Sequence, residues 1–522
     1  MKKNNIYIAL AFISLMGVLL SACTDMDENT EGKMTSTDFY AESHLISQAV
    51  GAAYAELQAY QNHWGVWGFQ TVSSDECVVP TRAPGNDWYD GGVWQALHKH
   101  QWEVRLGQLN NLWVSIYSGI TTCNRVLSDL DTYKDAMEES AYIRYKAETT
   151  TLRSFYYSLL LDIFGNVPYV DDYEGEITSY PQLSGGEVLE KVINDIENNL
   201  QYLDEAPDAT NYGRCTRQMA HAMLAKLYLN AKVFKGTSGY DAGDMNKVIT
   251  YCDMIINSGH YEVVSEFTQP FAVYNEACKE NIFVVPMQNG INWNGDYEFH
   301  FHKFSGHSTF KQVFGLRGDV WNGGCATPSF MEYYNEDDYR RRATFLYGPL
   351  YTPLGEMIEN PDLPGEQMNL TIEVESLEAA KRWEGARIQK YEYESGMTGN
   401  MNNDFVLYRM ADIYYMKAEA ILRGGNASLS DLCAQEQFQL IRKRATQPVY
   451  TAQTLTLDEL IIERGREFAW EGWRRQDLIR WNQFAKGSWT FKAAQPDNTR
   501  DLFPIPYDQI TKNPSWKQNP GY

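Results

Sequence analysis

The chain has 522 residues, with 45 lysines and arginines against 68 aspartates and glutamates, and a formal charge of −23. A protein so acidic is repelled by phosphate backbones, which sets nucleic acid aside as a partner. With 44% hydrophobic residues it has ample material for a buried core, more than one simple layer would need.

Lys2 and Lys3 precede an apolar run from Ile6 to Leu20. At about 1.5 Å per residue this run falls short of a hydrocarbon core of about 30 Å, so it reads as a signal peptide and not as an anchor. The run ends in Leu20-Ser21-Ala22-Cys23, which resembles the lipobox at which bacterial lipoproteins are cut and acylated. The expected organisation is a removed segment 1–22, a lipidated Cys23, an acidic tether over 23–36 and one domain over 37–522. The acidic start Thr24-Asp25-Met26-Asp27-Glu28 resembles the surface-export tags of Bacteroidetes lipoproteins. Loss of Lys2 and Lys3 takes the formal charge to about −25. The other cysteines, Cys77, Cys123, Cys215, Cys252, Cys278, Cys325 and Cys433, contain no C-x-x-C pair. Neither a zinc knuckle nor a thioredoxin-type site is indicated, and their odd number argues against a complete disulfide framework.

Residues 37–260 read as the helical part of the domain. Residues 38–60 carry Leu45, Ala49, Ala52, Ala53 and Leu57 on one face of a helix. The pattern then breaks into a loop over 61–102, where Trp64, Trp67, Trp88, Tyr89, Trp94 and Trp102 stand among glycines and prolines. Helical periodicity resumes over 108–131 and 139–164, then 186–203, 216–234 and 244–258. Residues 220–234, AHAMLAKLYLNAKVF, carry the small-then-large spacing of a tetratricopeptide helix. The predicted architecture is mainly α, with stacked tetratricopeptide-like helix pairs, a loop-rich ligand-binding face and a few short strands. Residues 261–403 are the loop-rich part, and 404–522 return to helix at 404–424 and 429–445.

The longest helical pattern, Thr456 to Trp481, opens with Thr456 and Glu459 in a capping-box arrangement. Glu463, Glu467 and Glu471 recur one turn apart, with Arg464, Arg466, Arg474, Arg475 and Arg480 interleaved. Gly465, Ala469 and Gly472 form a small-residue stripe for close helix packing. The spacing of Glu467 and Glu471 overlaps that of a retaining glycosidase, so a surface glycoside hydrolase is one reading. So many guanidinium groups should instead hold those carboxylates ionised, and a structural ion-pair network is the reading preferred here.

Candidate ligand contacts lie in the loops, where flat rings beside amide and carboxylate groups suit the apolar face and hydroxyls of a sugar. Asn292-Trp293-Asn294 with Tyr297, and Trp321 in Gly318-Asp319-Val320-Trp321-Asn322, carry that composition. Trp64, Trp67, Trp88 and Tyr89 are the further candidates, each with core packing as its alternative role. His300 and His302 would share one face if FHFHK were a strand, but no short-spaced carboxylate or cysteine joins them, so no metal site is assigned. No G-x-S-x-G, H-E-x-x-H or P-loop occurs; no catalytic residue and no cofactor are expected.

Four stretches resemble the SusD/RagB family of outer-membrane nutrient-binding lipoproteins. They are Tyr145-Lys146-Ala147-Glu148 through Phe164-Gly165-Asn166-Val167-Pro168, and Leu407-Tyr408-Arg409-Met410-Ala411-Asp412 through Glu419-Ala420. Glu463 to Trp481 follows, then Leu502-Phe503-Pro504-Ile505-Pro506 and Gln518-Asn519-Pro520-Gly521-Tyr522. Asp412 departs from the glutamate usual there. The resemblance implies a tetratricopeptide-like scaffold whose loops bind a glycan, and a SusC-like TonB-dependent transporter as partner. It implies a non-catalytic, lipid-anchored outer-membrane protein facing the cell exterior, with peptide capture as an alternative within the same family. The matched motifs are scaffold and do not fix the ligand.

Overall fold

The computed structural model describes residues 36–174, 176–208, 210–288, 300–399 and 401–522. The expected signal peptide, Cys23, and Asn292, Trp293, Asn294 and Tyr297 lie outside the described residues.

Among the described residues, the helices that frame the fold are α1 Ser43–Ala55, α2 Gly107–Thr132, α3 Glu139–Phe164, α4 Gly185–Asn199, α5 Arg217–Leu229, α6 Ala242–Ile256, α7 Met410–Leu422, α8 Leu457–Glu467 and α9 Arg474–Arg480. Their starts are chemically marked. Ser184 and Glu187 form a full capping box on α4, the Thr216 hydroxyl accepts from Met219 N–H on α5, and Asp241 caps α6 through Asp244 N–H. α3 ends at Gly165, whose φ of +70° is open to glycine at little steric cost. Short connections turn the chain back on itself where α2 packs on α3 and α5 on α6, while α3 packs on α4 and α6 on α7 across longer stretches of intervening chain. Their buried faces merge into one large apolar cluster, with a small separate one where Tyr40, Ile46 and Val50 meet Val126, Leu130 and Tyr145.

Strands are few and short. β1 (Asn281–Val285) pairs antiparallel with β2 (Phe405–Arg409), both wholly buried. Two-residue pairs matter more for the site. Cys77–Val78 pairs antiparallel with Cys325–Ala326, and Arg82–Ala83 pairs in parallel with Ala380–Lys381. These pairings bring the aromatic loop after α1 against the loop around Trp321. The cysteines Cys77, Cys123, Cys215, Cys252, Cys278, Cys325 and Cys433 are buried free thiols. Among the described residues no helix is long and apolar enough to cross a membrane.

Several elements depart from the periodicity. The predicted helix 404–424 begins as β2, because Phe405 to Arg409 are taken up by pairing with β1 before α7 starts at Met410. The helix predicted over 38–60 ends at Ala55 and tightens to a 3₁₀ turn over Glu56–Gln61. Residues 216–234 break at Asn230, and 429–445 divide into Leu429–Ala434 and Glu436–Lys443. His300–Ser305 is helical, not a strand, so His300 and His302 do not share the face a strand would give them.

The largest correction concerns Thr456 to Trp481, which is two helices. α8 stops at Glu467, and the chain runs through Trp470 (φ +61°) and Gly472 (φ +83°) before α9 begins. Charged groups end the helix. Lys390 Nζ donates to the carbonyls of Glu467 and Ala469, and Arg409 also donates to the Glu467 carbonyl. The orphan carbonyls of the last turn are therefore met by buried cations. The expected small-residue stripe dissolves with the helix: Gly472 serves the left-handed turn, and a Cβ at Gly465 would sit 3.0 Å from the Arg474 guanidinium. Thr456 does cap α8 through Glu459 N–H, but the Glu459 carboxylate turns to Tyr450 and Arg466 instead of back to Thr456.

The acidic ridge is a buried ion-pair network, as preferred from the sequence, but most of its partners come from elsewhere. Glu467 takes Arg340 and Arg409 at 2.9 Å and Arg444 at 2.7 Å. Glu463 takes Arg340 at 2.9 Å, Arg442 at 2.6 Å and Arg466 at 3.0 Å. Glu471 takes Arg409 at 2.8 Å and Lys390 at 2.5 Å. Burial pushes the Glu463 carboxyl upward, but Arg340, Arg442 and Arg466 outweigh it and hold it at about 2. Burial acts on Glu467 in the same way, and Arg444, Arg409 and Arg340 again prevail, well below the usual carboxylate range. Of the local arginines, Arg466 joins the ridge through Glu463; Arg464 pairs with Asp412 and Asp477, Arg474 with Asp75, and Arg480 with Glu419 and Asp477. Asp412 fits in place of a glutamate because its two oxygens meet Arg464 at 2.9 Å and Lys226 at 2.8 Å.

Candidate functional site

The aromatic loop after α1 and the Trp321 loop meet in one cluster. Trp88 donates its indole N–H to the Trp321 carbonyl at 2.6 Å. The Trp321 amide in turn donates to the Lys303 carbonyl at 2.6 Å, and the Lys303 ammonium lies 4.9 Å from the centre of the Trp321 ring. Trp64 stacks on Trp94 with centroids 4.1 Å apart, and the Trp94 N–H is held by Asp90 at 2.7 Å. His63 sits between these rings, edge-on to Trp88 and Trp321, with its Nδ1 2.8 Å from Nδ1 of His300. Burial, and secondarily the neighbouring His300, pull the His63 imidazole down to about 3, so it is neutral at physiological pH.

Glycine makes the close approach possible. A Cβ on Gly323 would fall 2.5 Å from the Trp88 ring and one on Gly324 2.2 Å from Phe304, so both rings lie directly on backbone. The loop is then pinned from below by two buried guanidinium groups. Arg82 donates to the carbonyls of Asn322 at 3.1 Å and Gly323 at 2.8 Å, and Arg387 donates to the Asn322 side-chain oxygen at 2.8 Å. Asn322 is thereby held at φ +55° immediately after Trp321.

The candidates separate by position. Trp64, Trp88 and Trp321 are half-buried and gather around His63, with ring centroids 5.3, 5.7 and 5.4 Å from it, and Tyr89, next to Trp88 in the chain, is 48% exposed. Trp67 does not belong to that half-buried group. It is fully buried among Phe301, Phe304 and Trp470 and donates its N–H to the Trp470 carbonyl at 2.8 Å, which leaves no ring face for a ligand. Trp293, Asn292, Asn294 and Tyr297 fall outside the described residues, although His300, which follows them closely in the chain, is in the cluster. His63, Phe304 and Lys303 were not singled out by sequence, and Trp94 was noted among the loop aromatics but not as a ligand contact. His63 offered a faint signal, standing next to Trp64 in a glycine-punctuated loop.

What this arrangement can do is bind. It offers ring faces with the exposed polar side chains Asn86, Asp87, Asp90 and Asp319 nearby in the same two loops. His302 is buried, with its Nε2 2.7 Å from the Tyr391 carbonyl, and among the described residues no group of three or more His, Cys, Asp or Glu could hold a metal ion. Glu467 and Glu471 are enclosed in their ion pairs and reach neither this face nor solvent.

Comparison with known proteins agrees with this picture. A model described as "SusD family" matches residues 279–522, and one described as "Starch-binding associating with outer membrane" matches residues 26–229. The chain belongs to the SusD family. With that membership it is non-catalytic, in keeping with the enclosure of Glu467 and Glu471. Relatives include the starch-binding protein SusD of Bacteroides thetaiotaomicron, 25% identical over 86% of this chain and 84% of that one. SusD-like protein P2 of Formosa agariphila is 25% identical over the full length of both chains. Among solved structures, surface glycan-binding protein A from Bacteroides thetaiotaomicron in complex with laminarihexaose has a TM-score of 0.73 at 23% identity. It covers 91% of this chain and 99% of its own, and so shares the fold.

Proposed function

We propose that this chain is a cell-surface glycan-binding lipoprotein of the outer membrane, anchored through Cys23 and facing the cell exterior. It captures oligosaccharides on the platform of Trp64, Trp88, Tyr89 and Trp321 and delivers them to a SusC-like TonB-dependent transporter. The observation that carries the reading is the meeting of two loops, distant in sequence, through the Trp88 to Trp321 hydrogen bond, with the half-buried rings of Trp64, Trp88 and Trp321 gathered around His63. Asn292, Trp293, Asn294 and Tyr297 are proposed to complete the platform, on their composition and their closeness in sequence to His300. The ligands named for similar proteins, starch and laminarihexaose, support a glycan over a peptide.

The test is an array of glycans and peptides probed with the mature protein, followed by isothermal titration with the best oligosaccharide. Glycan binding that weakens in Trp321→Ala is the expected result. Peptide binding alone, or an array blank for every glycan, refutes the reading. Globomycin-sensitive processing at Cys23 and co-purification with a TonB-dependent transporter test the anchor and the partner separately.

A further inference from the structure

We infer that a second pocket, bounded by Tyr54, Gln58, Tyr212 and Pro286, is a sugar subsite that takes one neutral hydroxylated ring through the Gln58 amide. The inference rests on the glycan reading for its ligand class, but it concerns different residues. The cavity measures about 140 Å³ and is further lined by Gly51, Ala55, Leu57, Gly213, Arg214 and Val285. At ~30 Å³ of liquid volume per water this is room for roughly four or five waters, the scale of a single ring with its hydroxyls.

The walls are fixed by their own hydrogen bonds. Tyr54 donates its hydroxyl to Glu148 at 2.7 Å and accepts from Cys215 N–H at 2.8 Å, while Tyr212 donates to Asp404 at 2.5 Å. The phenols are therefore engaged, and what the tyrosines contribute to the cavity is ring surface, the complement of the apolar face of a sugar. Gly213, at φ +73°, lets the Tyr212 wall press on Pro286, since a Cβ there would lie 2.3 Å from the proline ring.

Gln58 is the group without an internal role. It is 7% exposed, and its buried Oε1 has no hydrogen-bond partner among the described residues. An amide buried in this way carries a desolvation penalty that a ligand can remove, and an amide matches a pair of neighbouring hydroxyls by donating to one and accepting from the other. The charge on the wall excludes an anion as the intended ligand. Arg214 is committed to Glu148 through Nε at 2.6 Å and Nη2 at 3.0 Å, and to the Ser47 hydroxyl at 2.5 Å. The pocket also adjoins the platform along the chain. Gln58 and Gln61 lie in the same 3₁₀ turn, Glu56–Gln61, and the Gln61 side chain accepts the His300 amide at 2.7 Å.

The experiment is crystallographic. Crystals of the mature protein are soaked separately in glucose, galactose, mannose and xylose, alongside Gln58→Leu, Gly51→Leu and Trp321→Ala. A Cβ at Gly51 meets nothing within 4 Å, so a leucine there enters open space on a helix and blocks the mouth without disturbing the core. The expected result is density for a ring within hydrogen-bonding distance of the Gln58 amide in at least one soak, lost in Gln58→Leu and Gly51→Leu and retained in Trp321→Ala. A pocket without sugar in all four soaks, or a ring that persists in Gln58→Leu, overturns the inference. Loss of oligosaccharide binding at the platform is read by titration of Trp321→Ala, so failure of either idea is seen apart from the other.

Discussion

Replacing Glu467 by glutamine removes one charge from the centre of the fold while keeping the side chain's shape. Three guanidinium groups converge on that carboxylate, Arg340 and Arg409 at 2.9 Å and Arg444 at 2.7 Å, and all four side chains are buried. Removing one partner of a buried ion pair costs about 3–5 kcal/mol, because the opposite charges stay buried and lose their compensation. Arg444 and Arg409 keep Glu280, and Arg340 keeps Glu463 and Asp338, which sets the expectation toward the lower end. With an unfolding entropy of ~2.1 cal/mol/K per residue, a cooperative transition of a chain this long has about 1 kcal/mol/K, so Tm should fall by about 3–5 °C. The pH dependence carries the sign. A glutamate whose folded pKa is held below its unfolded value of about 4.3 adds stability above that value, and loses it as the pH falls toward the folded pKa. The gap in Tm between wild type and Glu467→Gln, measured by calorimetry, should therefore be full at pH 7 and close as the pH drops below about 4.3. An unchanged Tm at pH 7, or a gap that widens in acid, refutes the ion-pair account.

Trp321→Ala should weaken oligosaccharide binding by about 1 kcal/mol or more, at least fivefold in Kd by titration, with a far smaller effect on Tm. Trp67→Ala should do the reverse, costing about 3–5 kcal/mol of stability by denaturant unfolding because it empties a core site. Gly472→Ala should lower stability by about 1–2 kcal/mol in the same assay, since φ +83° favours glycine there. Burial holds His302 and His307 at about 3, so in the folded state they stay neutral where the unfolded chain takes up protons. Stability should thus begin to fall as the pH drops below about 6.5, earlier than the carboxylate effect, and His302→Gln should reduce that slope in urea titrations at pH 7 and pH 5.

The sequence by itself determined the class of the protein. Helical periodicity in 108–131, 139–164 and 244–258 gave elements that the structure reproduces within about two residues, because a helix with a continuous buried stripe is specified locally. The glutamates of 463, 467 and 471 were also legible as structural, since interleaved arginines predict ionised carboxylates wherever those arginines turn. The tertiary structure decided which arginines answer them. Arg340, Arg409 and Arg444 are far from Glu467 in sequence, and no local spacing reports a contact made by chain folding. For the same reason Lys390, by capping Glu467 and Ala469, broke a helix that propensity alone would have continued through Trp470. The aromatic residues show the division most clearly. Composition put Trp321 first and offered Trp64, Trp67 and Trp88 as further candidates, and only packing separated Trp67, enclosed by Phe301, Phe304 and Trp470, from the three that stay half-buried. A ring's chemistry is written in its residue type, whereas its availability depends on what the rest of the chain lays against it.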